Sequence, residues 1–211
     1  MEQHQPGAAP EGAAPAFIGL TGGIAAGKSE ALAAFGRLGA ATLSSDAVAH
    51  RMLEDPEVRA CLVERWGDQV VTDDGADRDR IGAIVFERPD ELAWLESVLH
   101  PLVGREIVEW RRMLTPEEPL AVVEVPLLFE AGLEDAFDAT VCVVAADDVR
   151  ARRAGARGTS LLEGRSGRQL SQEEKAARAT YVIRNDGSLA NLEAEVARLI
   201  PVLAAIRQEA G

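Results

Sequence analysis

Lysine is almost missing from this chain. Of its 22 basic residues only Lys28 and Lys175 carry an ammonium group, and the others are arginines. Cysteine is as scarce. Cys61 and Cys142 are too few for a disulfide framework, and neither stands among histidines at metal-ligand spacing. Cys142 lies in an apolar run and reads as a small buried residue, and reduced thiols suit a cytoplasmic setting. No apolar run approaches the roughly 18 residues of a membrane span. The formal net charge of −13 excludes a general nucleic-acid coat, because phosphate neutralisation needs a basic face. A small phosphorylated ligand remains allowed, since a local cluster can be positive on an acidic protein. Residues 1–15, MEQHQPGAAPEGAAP, lack the basic start and apolar segment of a secretory signal. Their composition reads as a disordered tail. Residues 16–208 then suffice for a single domain with one sizeable core, and nothing in them demands an oligomer.

What is present alternates between strand and helix. Short apolar runs at Ala16–Leu20, Ala40–Leu43, Leu120–Pro126, Ala139–Ala145 and Tyr181–Ile183 predict buried strands. Between them, Lys28–Leu38 has helical periodicity and stops at Gly39. A further helix is expected after Asp46, which has the chemistry of an N-cap, and another after Asp55-Pro56-Glu57. Helical patterns fill much of Arg78–Leu114, with breaks expected near Pro89 and at His100-Pro101. A last helix is expected from Leu189 to about Ile206. Such alternation predicts an α/β fold, a doubly wound parallel sheet with helices on both faces.

Lys28 stands in the pattern Gly22-x-x-x-x-Gly27-Lys28-Ser29, between the first strand and the first helix. This is the spacing of a phosphate-binding loop. Glycines let the backbone curl round an anion, and the following helix aims its positive dipole end at it. The ammonium of Lys28 is a compact point charge for the β- and γ-phosphates, where arginine's planar fork would fill the cradle. Ser29 offers a hydroxyl to Mg²⁺. The ATP-binding stretch is therefore Gly22, Gly23, Ile24, Ala25, Ala26, Gly27, Lys28, Ser29 and Glu30. No N-K-x-D segment of the kind guanine-specific GTPases carry is present.

Five segments in this order, IGLTGGIAAGKS, SSDAVAH with Asp46, LHPLV, EVPLLFE and VIRNDGS, resemble the dephospho-CoA kinase family over roughly residues 18–203. The resemblance implies a P-loop NTPase core with a helical substrate-binding lobe, about 55–115, and a small lid, about 150–175. It implies transfer of the γ-phosphoryl of ATP, with Mg²⁺, to the ribose 3′-hydroxyl of dephospho-CoA. Asp46 would be the general base beside the acceptor, and Lys28 and Arg153 would be catalytic with it. Arg153, Arg157 and Asn185 would join the ATP site, and Glu124 would order the Mg²⁺ shell through water. His100, Pro101, Leu127 and Glu130 would touch the acceptor. Two positions depart from the family: Ser44 stands for its aspartate and His50 for its arginine. Arg51 is next door, but one residue turns a helical side chain by about 100°.

Plainer roles remain open for several of these residues. Asp46 suits an N-cap, His100-Pro101 a helix break, Leu127 a core position, Glu130 a solvated surface, and Asn185 a turn before a capped helix. A same-fold kinase of a nucleoside monophosphate or other small alcohol, and a non-catalytic nucleotide sensor, are the competing functions. A sensor would need the loop but neither Asp46 nor Arg153.

Overall fold

Every residue of the first strand, β1 (Ala16–Gly22), is buried, as expected of an apolar run inside a parallel sheet. The structure, a computed structural model, describes residues 14–73, 75–156 and 169–206. The tail expected over 1–15 falls outside them up to residue 13, and so does Arg157. After β1 come α1 (Lys28–Arg37), β2 (Ala41–Ser44), α2 (Ser45–Met52), α3 (Pro56–Trp66), β3 (Val71–Thr72) and β4 (Gly75–Ala76). Then follow α4 (Arg78–Glu87), α5 (Pro89–Met113), β5 (Leu120–Glu124), β6 (Ala139–Val144), α6 (Asp147–Ala156), α7 (Gln172–Arg178), β7 (Tyr181–Arg184) and α8 (Leu189–Ala205). Among the described residues no helix is long and apolar enough to cross a membrane.

The described residues form two compact units, one from the segments before Leu43 and after Met113, the other Leu43–Met113. The first is built on a five-stranded sheet in the order β2-β5-β1-β6-β7. β1 pairs in parallel with β5 and with β6, and β6 with β7. Alternate residues along these strands serve opposite faces. Ile18, Leu20, Val122, Val141 and Val143 pack with Ala31 and Phe35 of α1 and with Leu192, Val196 and Leu203 of α8. On the other face Phe17 stacks on Phe137 at 4.8 Å between ring centroids. Gly19 there lies so close to Leu128 and Phe137 that any side chain would displace them. With β1 central, its carboxyl end and those of β5 and β6 open side by side, the edge where ligands collect in open α/β sheets.

The second unit is helical, with the short antiparallel pair β3–β4, which the sequence pattern does not suggest. Its core is Leu53, Val58, Leu62, Trp66, Val70, Ile81, Leu95 and Leu99. Asp55 caps α3 as expected, accepting from Glu57 N and Val58 N, with Pro56 in the first turn. Buried Glu91 accepts from Arg65 Nε at 2.9 Å and Trp66 Nε1 at 2.8 Å. The hydrogen bond from Arg65, then that from Trp66, holds its carboxyl below the usual carboxylate range.

Two local expectations are corrected. The helix does not break at His100-Pro101: α5 runs through Pro101. An interior proline costs about 3 kcal/mol, but Leu95, Leu99 and Leu102 on the neighbouring turns pack into the core of this unit and hold the helix on both sides. The cap of α2 is Ser44, whose Oγ accepts from Ala47 N at 3.4 Å. Asp46 lies inside the first turn, where its charge suits the helix dipole.

Cys142 is buried in β6, and burial pushes its thiol up to about 11, whereas Cys61 is exposed on α3. At pH 8 a disulfide reagent is expected to titrate one thiol per native chain at once and the second only on unfolding. Two fast thiols in native protein would show that β6 is open to solvent.

Candidate active site

The chain leaves β1 through Gly22, at a φ of 155°, where a Cβ would run into the Val143 carbonyl of β6. It enters α1 through Gly27, left-handed at a φ of 96°, where a Cβ would overlap Asn185 Nδ2. Only glycine meets both demands at these two points.

Between them the loop carbonyls turn onto donors. Lys28 Nζ donates to Gly22 O at 3.3 Å and Gly23 O at 3.1 Å. Arg150 Nε donates to Ile24 O at 3.0 Å. Ala26 O accepts from Asn185 Nδ2 at 2.8 Å and Arg153 Nη1 at 3.3 Å. Arg153 Nη2 also donates to Asn185 Oδ1 at 3.3 Å. A curl with its carbonyls occupied in this way has N–H groups available to an anion, and α1 opens on it with its positive end. Arg150 and Arg153 are three apart on α6, hence on one face. Asn185 is fixed by its own N–H, which donates to Val144 O at 2.8 Å at the end of β6.

Ser29 Oγ and Glu124 Oε1 are 3.5 Å apart. Glu124 is buried at the end of β5, while Ser29 and Glu30 are exposed on the first turn of α1. The structure thus brings together the whole loop, Arg153, Asn185, Ser29 and Glu124.

Glu130 is placed otherwise than on an exposed surface. Its Oε1 pairs with buried Lys175 Nζ at 3.0 Å and accepts from Leu170 N at 2.9 Å. Leu127, three residues before it, is exposed, while its neighbours Leu128 and Phe129 are core. In the second unit Asp46 is exposed on α2, and His100 and Pro101 are exposed on α5. Arg51 pairs with Glu106 of α5 at 3.6 Å, with both side chains about half exposed.

The sequence model of the dephospho-CoA kinase family matches residues 16–191. The chain belongs to the dephospho-CoA kinase family. It is 40% identical over 182 residues to the dephospho-CoA kinase of Thermus thermophilus, covering 85% of this chain and 87% of that protein. It is 37% identical over 191 residues to that of Chlorobaculum tepidum, covering 86% and 92%. The structure of the dephospho-CoA kinase from Campylobacter jejuni matches with a TM-score of 0.67 at 26% identity, over 89% of this chain and 96% of that one. The α/β fold of the P-loop kinases expected from the sequence is the fold observed.

Three residues that contact the loop or the strand ends beside it, Arg150, Gln172 and Lys175, escape the sequence pattern. Arg150 stands in an arginine cluster whose members are indistinguishable without the fold. Gln172 and Lys175 lie in QEEKAAR, which reads as an ordinary exposed helix. The one usable signal is the scarcity of lysine, which singles out Lys175 as it does Lys28.

The cap assignment separates two neighbours. Ser44→Ala is expected to lower stability by about 1 kcal/mol, while Asp46→Asn leaves the melting curve in place. Chemical denaturation of the two variants reads this directly, and a larger loss from Asp46→Asn would return the cap to Asp46.

Proposed function

We propose that this chain transfers the γ-phosphoryl group of ATP to the ribose 3′-hydroxyl of dephospho-CoA, giving coenzyme A and ADP, the last step of coenzyme A biosynthesis. One observation carries the proposal beyond family membership. The phosphate loop is complete, with its carbonyls at 22, 23, 24 and 26 each engaged by Lys28, Arg150, Arg153 or Asn185. That arrangement suits a phosphate group, because with the carbonyls held by donors the loop turns its N–H groups to an anion, and two arginines and a lysine stand beside it.

Lys28 and Arg153 stabilise charge on the phosphoryl group in flight, and the loop N–H groups cradle the β-phosphate. Phosphate oxygens are stronger acceptors than the carbonyls Lys28 and Arg153 touch, so both side chains would gain by exchanging one for the other. Asp46, exposed on α2, orients the acceptor hydroxyl and accepts its proton. His100, Pro101 and Leu127 contact the acceptor, and Glu130 does so through the turn it anchors. Asn185 supports the nucleotide side by holding Ala26, and Arg157, outside the described residues, is a further candidate for the ATP site. Ser29 Oγ and Glu124 Oε1 are hard oxygen donors close together, which fits Mg²⁺, an ion that keeps several waters and few protein ligands. Ser29 and Glu124 would hold such an ion, directly or through water, and it would supply positive charge against the charge developing on the phosphoryl group. A cytoplasmic, monomeric enzyme is the form in which this activity is expected.

ADP release with dephospho-CoA, compared with AMP, CMP and shikimate as acceptors, tests the substrate. Preference for any of the latter three assigns the chain to another alcohol. Lys28→Ala is expected to abolish turnover while the chain still melts cooperatively, at a somewhat lower temperature because Gly22 O and Gly23 O lose the ammonium. Asp46→Asn is expected to lower kcat by about 10²–10⁴ at normal stability, because the amide cannot take the proton. A variant that melts normally and keeps more than about a tenth of wild-type kcat would remove Asp46 as the base.

A further inference from the structure

The second of the chain's two lysines lies in α7 with its side chain fully buried. An ammonium is costly there unless its donors are met. Lys175 Nζ donates to Pro126 O at 2.6 Å and pairs with Glu130 Oε1 at 3.0 Å. Pro126 O also accepts from Thr21 Oγ1 at 3.2 Å, and Thr21 is buried in β1 directly before the phosphate loop. Glu130 Oε2 is buried with no partner among the described residues, so the carboxylate depends on what its Oε1 touches.

Three residues earlier, on the same face of α7, Gln172 imitates a strand. Its Nε2 donates to Ala145 O at 2.9 Å and its Oε1 accepts from Ala145 N at 3.1 Å. Its Cβ would lie only 3.0 Å from a Cβ placed on Gly23. Since β1 lies between β5 and β6, α7 grips the exit of β5 with Lys175 and that of β6 with Gln172. The phosphate loop rises between these two grips.

We propose that Lys175 is a positioning residue for phosphoryl transfer. It acts through Pro126 on the turn that follows Glu124, and through the shared carbonyl on Thr21 and the loop beyond it; this rests on the function proposed above. A core role would need only volume, which Met supplies, and buried ion pairs are often replaced by apolar groups without loss of stability. What Met cannot supply is the fixed distance between α7 and the Pro126 carbonyl. Arg, larger and planar, does not fit between Pro126 O and Glu130 in the same place.

The test compares wild type with Lys175→Met, Lys175→Arg, Glu130→Gln alone and the paired Lys175→Met/Glu130→Gln, the loss due to Lys175 being that of the paired variant beyond Glu130→Gln. Lys175→Met leaves the Glu130 carboxylate buried and unpaired, so the paired variant, which removes that charge, decides whatever the stability of the single one. The paired variant is expected to melt cooperatively near wild type and to bind one ATP per chain by calorimetry. Its kcat is expected to fall about 10–100-fold below that of Glu130→Gln with little change in KM for ATP, and Lys175→Arg is expected not to recover it. A paired variant whose kcat per ATP-binding molecule equals that of Glu130→Gln would overturn the proposal. So would one that neither melts cooperatively nor binds ATP, which would make the Lys175–Glu130 pair a requirement for folding and not a device of the site. Wild type that binds ATP but does not phosphorylate dephospho-CoA would fault the functional proposal instead, and the same ratios are then read from ATP hydrolysis without acceptor.

Discussion

The turning of four loop carbonyls onto positively charged or amide donors is the constraint on which the rest of this structure depends. A backbone curl can offer N–H groups to an anion only if its carbonyls face elsewhere, and a carbonyl facing elsewhere at a buried edge needs a partner. Here the partners come from three different elements: Lys28 from α1, Arg150 and Arg153 from α6, and Asn185 from the end of β7. The parallel pairing of β1, β6 and β7 brings those elements to one edge. The loop is thus a product of the sheet as much as of its glycines.

Charge is distributed to the same end. A chain of net charge −13 repels anions at long range, so the cations that touch the loop must act at contact distance. Surface pairs such as Arg112–Glu109 and Arg198–Glu195 are well exposed and contribute little. The cations that matter are the shielded ones. Arg150 retains 19% of its side-chain exposure and Lys175 none. In the second unit the same economy of buried charge recurs, with Glu91 met by Arg65 and Trp66.

Both lysines end on backbone carbonyls at the carboxyl edge of the sheet. Lys28 reaches Gly22 and Gly23, and Lys175 reaches Pro126. A compact ammonium approaches a carbonyl from any side, whereas a guanidinium needs a planar slot. Arg150 and Arg153 meet loop carbonyls as well, but each lysine places one nitrogen on two oxygens at once, Gly22 O with Gly23 O and Pro126 O with Glu130 Oε1.

Much of this was legible in the amino-acid sequence, and what was legible was local. Apolar runs announced β1, β5 and β6, the spacing Gly22–Ser29 announced the loop, and Asp55-Pro56 announced the start of α3. The missed cap at Ser44 was an error of two residues within such a signal. Tertiary structure decided what local pattern could not. Pro101 stays helical because Leu95, Leu99 and Leu102 pack around it. Arg150 and Arg153 reach Ile24 and Ala26, 126 and 127 residues away in sequence, whereas Arg152 between them pairs with Asp148 on the surface. Lys175 is buried because Pro126, 49 residues away, and Glu130 meet its charge. Secondary structure and motif follow from the periodicity of neighbouring residues. Whether a charged side chain is a solvated surface group or a buried clamp depends on partners that only the folded chain brings within hydrogen-bonding distance.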